Sequence, residues 1–176
     1  MQKGTLHRLG RLPFIIGAIF VAGAATAGVV WSLRSPRVSQ PIGFNHRIHV
    51  QELEMACDEC HLYAVNGVRA TIPNIAVCGD CHDEPLTESI HEARLMEYVN
   101  SDTPLPWQKV YWVPDHVYFS HRRHTGIAGI ECQACHGPIE EQEEPLTRPL
   151  VRLTMERCVA CHEQTGTSND CILCHR

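Results

Sequence analysis

Aromatic residues are scarce in this chain, 6% of 176. Large aromatic side chains normally dominate the burial of a core, so a conventional protein interior is not what this sequence encodes. No acidic residue precedes Leu12, and no charged residue of either sign lies between Leu12 and Leu33. Beyond that stretch basic residues are the minority. Residues 34–176 carry twelve Lys and Arg against twenty Asp and Glu, a balance of −8 that argues against a nucleic-acid partner. Finally, no cysteine stands alone: all ten fall inside five short segments of one pattern.

Those segments are Cys57-Asp58-Glu59-Cys60-His61, Cys78-Gly79-Asp80-Cys81-His82, Cys132-Gln133-Ala134-Cys135-His136, Cys158-Val159-Ala160-Cys161-His162 and Cys171-Ile172-Leu173-Cys174-His175. Structural zinc needs four ligands per ion, and five knuckles do not pair off. A disulfide framework has no use for His after every second Cys. The form Cys-x-x-Cys-His reads instead as covalent attachment of c-type haem. The two thiols bond the porphyrin edge, and His61, His82, His136, His162 and His175 become proximal iron ligands. Five covalently bound haem c groups are therefore expected. Fewer than about 30 residues are left to wrap each haem, so the haems supply most of the apolar core, and the polypeptide without them is expected to be largely unfolded.

Leu12–Leu33 spans roughly 33 Å as a helix, enough for a bilayer core of about 30 Å. Gly17, Gly23 and Gly28, with nearby alanines, offer small surfaces for another membrane helix. Ala25-Thr26-Ala27 resembles a signal-peptide cleavage site, but the apolar run is longer than a usual signal core and continues past it. Residues 12–33 are read as one uncleaved anchor and residues 1–11, with Lys3, Arg8 and Arg11, as a cytoplasmic basic tail. Arg34 and Arg37 oppose that orientation. Covalent haem attachment, which takes place on the extracytoplasmic side, decides it. The chain is expected in a bacterial cytoplasmic membrane with its haem region periplasmic.

Residues 34–43, with Pro36 and Pro41, form a short tether. Phe44-Asn45-His46-Arg47-Ile48-His49 then precedes the first haem site, and Phe119-Ser120-His121-Arg122-Arg123-His124 precedes the third. This internal repeat of Phe-x-His-x-x-His puts two His on one face of a helical turn, where they can serve neighbouring irons. It divides the chain into a dihaem module (44–82) and a trihaem module (107–176). The connector, 83–106, contains a helix expected over Glu84–Asp102, with Ser89 and Glu92 spaced as a capping box and Ile90, Ala93, Met96 and Val99 on one side. Trp107–Val113 reads as a short strand-like stretch, and Glu140–Glu144 as a solvated acidic loop. The fold class is a mostly irregular and α-helical multihaem cytochrome with one N-terminal transmembrane helix.

Distal ligands must come from His46, His49, His91, His116, His121, His124, Met55, Met96 and Met155, since His7 lies beyond the anchor. Six histidines for five irons can fill every sixth position. An iron so filled passes electrons and does little bond chemistry.

The Phe-x-His-x-x-His and Cys-x-x-Cys-His pattern resembles the class III multihaem cytochromes of the c3 and c7 type. The resemblance implies His121 on haem 3 and His124 on a neighbour, with a residue shortly before a later haem site on the last. Met155, three residues before Cys158, stands where that pattern has a His. By the same logic His46 and His49 serve haems 1 and 2. His116 is the first reserve and His91 the second. Met155 as a ligand would raise one potential above the bis-His set; its alternative role is core packing.

More narrowly, the anchor, the five haem sites, the stretch Trp107–His124 and Leu153-Thr154-Met155 resemble the pentahaem subunit of alternative complex III, a bacterial quinol-oxidising complex. This resemblance implies an iron–sulfur subunit, polytopic quinol-binding subunits and a monohaem cytochrome c as partners. It also implies that the quinol site lies on another subunit, so this chain is an electron-transfer subunit and not itself an enzyme. The competing readings are a quinol dehydrogenase of the tetrahaem anchored type feeding a periplasmic reductase, and a multihaem reductase with substrate at iron.

Overall fold

A computed structural model describes the backbone of residues 12–34 and 37–175, with side chains at 15–26 and 37–175. The tail 1–11 and His7 lie outside the described residues, as do positions 35–36 of the tether. Two units are distinct, residues 1–37 and 38–176.

The described residues of the first unit include one helix, α1 (Leu12–Arg34), 23 residues and about 35 Å long. Among the described residues no helix is long and apolar enough to cross a membrane. The described side chains of α1 stop at position 26, so the anchor reading rests on the uncharged run in the sequence.

The second unit has six helices among its described residues: α2 (Cys57–Cys60), α3 (Ile75–Gly79), α4 (Ile90–Asn100), α5 (Gln133–His136), α6 (Met155–Gln164) and α7 (Cys171–Cys174). No strand forms among them. One isolated antiparallel bridge joins Val117 to His175. The stretch Trp107–Val113, expected to be strand-like, is extended but unpaired. It serves as a strut instead. The Tyr111 hydroxyl donates to the His136 carbonyl at 3.2 Å and accepts from the Leu150 and Val151 amides at 3.0 and 3.3 Å.

Each Phe-x-His-x-x-His segment opens a wide π-helical turn, Ile48–Glu52 in the first copy and Arg122–Ile127 in the second. Two closing bonds recur in both copies. Leu53 N–H donates to Ile48 O as Ala128 N–H does to Arg123 O, and Met55 N–H to His49 O as Ile130 N–H does to His124 O. Both turns close on a left-handed residue, Glu54 (φ 56°) and Gly129 (φ 63°). The turns also dock reciprocally. Arg122 N–H donates to Gly67 O, behind the first haem site, and Arg47 N–H donates to Gln142 O, behind the third. A Cβ at Gly126 would lie 2.2 Å from Val65 O, so only glycine lets the second turn approach the first module this closely.

The connector helix is shorter than the pattern suggests. It starts at Ile90, with the Ser89 hydroxyl accepting from His91 N–H at 3.2 Å. Glu92 does not reach back to close a capping box. Its carboxylate accepts from Leu86 and Thr87 N–H at 2.7 and 2.6 Å, which folds 84–89 into a turn. Orienting Glu92 inward also rotates the buried face to Glu92, Leu95 and Met96 and leaves Ile90 78% exposed.

The apolar core is small. Ile42, Leu95 and Leu105 are buried together, with Ile75, Tyr98, Val99 and Trp107 packed around them. The Asn74 side chain ties this cluster by accepting from both Ile75 and Leu105 N–H. Among the described residues no large side chain is fully buried.

Candidate haem-binding site

The five Cys-x-x-Cys-His segments sit on or against short helices, because one helical turn carries the two thiols and the imidazole to one side. In four of them the His closes the turn: His61, His82, His136 and His175 N–H all donate to the carbonyl of the first Cys, at 2.8–2.9 Å; the fourth site, Cys158–His162, lies within the longer helix α6.

Imidazole pairs face one another across the unit. His49 and His82 have ring centres 6.3 Å apart, His121 and His136 6.4 Å, and His124 and His162 6.2 Å. His116 and His175 are 5.6 Å apart. A metal-bound imidazole nitrogen lies about 2 Å from its ion. The ring centre lies about 1 Å further back, so two rings sharing one iron from opposite sides have centres a little over 6 Å apart. Three pairs match this spacing, and the fourth is slightly closed. His46 lies beside His61, and it stands in the first repeat where His121 stands in the second.

Ring orientation is set by the second nitrogen. Nδ1–H donates to a backbone carbonyl in His49 (Asn45 O, 2.8 Å), His61 (Thr71 O, 3.0 Å), His121 (Val68 O, 3.3 Å), His124 (Ser120 O, 2.8 Å) and His162 (Ser168 O, 3.1 Å). Carbonyls only accept, so each of these rings keeps Nε2 as its free lone pair. Phe44 and Phe119 brace the rings identically: each meets the first His of its motif edge-on at 4.8 or 4.9 Å and stacks on the second at 4.5 or 4.7 Å. The motif shows the phenylalanines, but only the structure shows that they are clamps.

His91 is oriented the other way. Gly43 N–H donates to its Nδ1 at 3.1 Å, which puts the ring proton on Nε2 and removes the lone pair an iron would take. Met155 begins α6 and is 62% exposed.

Three of the rings are biased towards the neutral form that ligation requires. Burial, then the neighbouring His61 and His49, bring His46 down to about 4. Burial also lowers His121 and His136. The thiols lie in a chain of neighbours. Burial leads in raising Cys60, with Glu59 and then Cys81 and Cys57 adding to it. Cys132 is pushed up to about 11 by burial and by Cys57, to which it is hydrogen-bonded. Cys135 is raised by burial, Cys161 and Cys158, and Cys158 by burial, Cys174 and Cys161. Sites 2, 1, 3, 4 and 5 thus follow one another in space.

His82 differs from the other rings. Its Nδ1–H donates to Glu92 Oε1 at 2.9 Å, a carboxylate that is 7% exposed. Hydrogen bonds from the Thr87 hydroxyl first, and then from Leu86 N–H, hold Glu92 at about 2 against the opposing push of burial. Sequence spacing marked Glu92 as a cap; its contact with His82 required the fold.

A poor core, apolar side chains left exposed (Trp112 70%, Ile127 71%, Ile172 82%) and facing imidazole pairs all suit a polypeptide wrapped around haems. The family model described as "Cytochrome c7 and related cytochrome c" matches residues 42–96 and 117–176. The chain belongs to this family of multihaem c-type cytochromes, electron carriers with covalently bound haem. It is also 30% identical over 192 residues to the "Menaquinone reductase, multiheme cytochrome c subunit" of Nitratidesulfovibrio vulgaris (strain Hildenborough), covering 95% of this chain and 90% of that protein.

Proposed function

We propose that the chain is a membrane-anchored pentahaem relay, the electron-transfer subunit of a quinone-linked respiratory complex. The observation that carries this reading is the set of facing imidazoles. The assignment is His46 with His61 on haem 1, His49 with His82 on haem 2, His121 with His136 on haem 3, His124 with His162 on haem 4, and His116 with His175 on haem 5. His116 replaces Met155 in this scheme because its ring faces His175, while Met155 is exposed. His91 is omitted because its Nδ1 accepts a hydrogen bond. With two imidazoles each, the haems exchange electrons and offer no iron to a substrate. The order of the attachment cysteines supports sites 2 and 5 as the ends of the relay.

The anchor at 12–33, single-pass with the haem unit periplasmic, rests on the uncharged run in α1. The partners proposed are an iron–sulfur subunit, polytopic quinone-binding subunits and a monohaem cytochrome c, as in alternative complex III, with the quinone site on a membrane partner. There the electrons leave quinol for a periplasmic acceptor. The similarity to a menaquinone reductase subunit supports a second reading in which they flow towards menaquinone. A tagged chain purified from membranes in mild detergent tests the assembly. It should bring integral-membrane subunits with it, and the complex should exchange electrons with a menaquinone analogue. Isolation as a lone chain with no membrane partner would contradict the reading. So would quinol oxidation by the chain alone, which would favour the anchored quinol dehydrogenase.

A further inference from the structure

We propose that Glu92 is a positioning residue that holds the His82 imidazole and selectively lowers the reduction potential of the haem attached at Cys78 and Cys81. The inference rests on the haem reading above and goes beyond it by setting one haem apart from the other four.

Five of the ligand rings donate Nδ1–H to neutral backbone carbonyls. Among the described residues only the ring of His82 donates to a carboxylate. A buried anion on Nδ1–H draws the proton away from the ring and makes Nε2 a stronger electron donor. A stronger donor favours ferric over ferrous iron. The nearby negative charge acts in the same direction, since oxidation adds positive charge to the haem. The carboxylate is 7% exposed, so few waters touch it to weaken either effect.

The carboxylate is built to remain in place. Oε1 accepts from His82 and Leu86 N–H, and Oε2 accepts from Thr87 N–H and the Thr87 hydroxyl. Ser89 N–H donates to the Thr87 oxygen at 3.2 Å, which leaves the hydroxyl proton free to point at Glu92. Four donors converge on two oxygens of a residue anchored in α4. This accounts for a helix that forgoes its own capping box. Site 2 is also one end of the chain of attachment sites, so the effect falls on a terminal haem.

The test uses the full-length chain carrying Glu92→Gln or Thr87→Val. Peptide mass analysis reports haem at each Cys pair, and a redox titration followed by electron paramagnetic resonance resolves the midpoints. Gln keeps an acceptor for His82 without the charge, so one midpoint should rise while four stay fixed. Thr87→Val removes a donor from Oε2 and leaves more charge for His82, so the same midpoint should fall. Opposite shifts of one haem are not produced by loosening of the fold. With five haems retained, no shift in either variant, or a common shift of all five, would overturn the role of Glu92 and leave the relay standing. Absence of haem from the Cys78–Cys81 peptide of the unaltered chain would overturn both.

Discussion

At the scale of single residues, the histidines divide by what their second nitrogen does. Six of the proposed ligand rings, His49, His61, His82, His121, His124 and His162, donate Nδ1–H to an acceptor, whereas His91 accepts from Gly43. Two predictions belong here. His116→Ala should make one iron high-spin and able to bind carbon monoxide, whereas Met155→Leu should leave every haem low-spin; the visible spectrum with carbon monoxide distinguishes them. The reverse result would restore Met155 as the ligand. Arg122 and Arg123 are exposed, and among the described residues no carboxylate pairs with either. Arg47, which occupies the Arg122 position in the first repeat, pairs with Glu52 and Glu143 at 2.8 and 3.0 Å. We expect Arg122 and Arg123 to pair with haem propionates, so changing both to Gln should raise or lower at least one midpoint; unchanged potentials throughout would count against the pairing. The five Cys-x-x-Cys-His segments were legible in the sequence because haem attachment demands contiguous spacing. The stacking of His116 on His175 carried no sequence signal, because the two are 59 residues apart and are brought close by the bridge at Val117.

At the scale of elements, the unit of construction is the wide turn after each phenylalanine. Its two copies share hydrogen bonds, ring packing and a left-handed closing residue, which explains why a repeat of only three fixed residues was readable. The copies differ at that closing position, Glu54 against Gly129. A left-handed conformation costs a residue with a Cβ about 1 kcal/mol or more relative to glycine. Glu54→Gly should therefore stabilise the holoprotein by roughly 0.5–1 kcal/mol, a rise in Tm measurable by circular dichroism. A fall in Tm would mean that Glu54 makes a contact of greater value than its backbone strain. The connector helix shows the limit of pattern reading. Ser89 and Glu92 have capping-box spacing, yet the Glu is taken by His82, a residue ten positions earlier whose proximity periodicity cannot reveal. Trp107–Val113 has strand-like composition without a partner strand, and its Tyr111 is used to hold the His136 carbonyl and the 150–151 backbone.

At the scale of the whole molecule, the polypeptide encloses little of its own. Its buried cluster is a few side chains beside α4, while the rest of the unit is short helices and turns tied by hydrogen bonds. That was foreseeable from 6% aromatics and ten committed cysteines. The reciprocal docking of the two turns was not, because it depends on backbone carbonyls that carry no sequence signal. A chain with all ten Cys changed to Ser should be largely unfolded by far-ultraviolet circular dichroism; a cooperative, native-like melt would refute the haem-built core. The central claim is that five irons each lie between two imidazoles along one relay. Its most direct test is low-temperature electron paramagnetic resonance of the oxidised, detergent-purified chain, with signals integrated against its haem content. The account predicts five low-spin, bis-histidine haems per chain and no methionine-ligated or high-spin component. A high-spin iron, a methionine-ligated iron or fewer than five haems would contradict it.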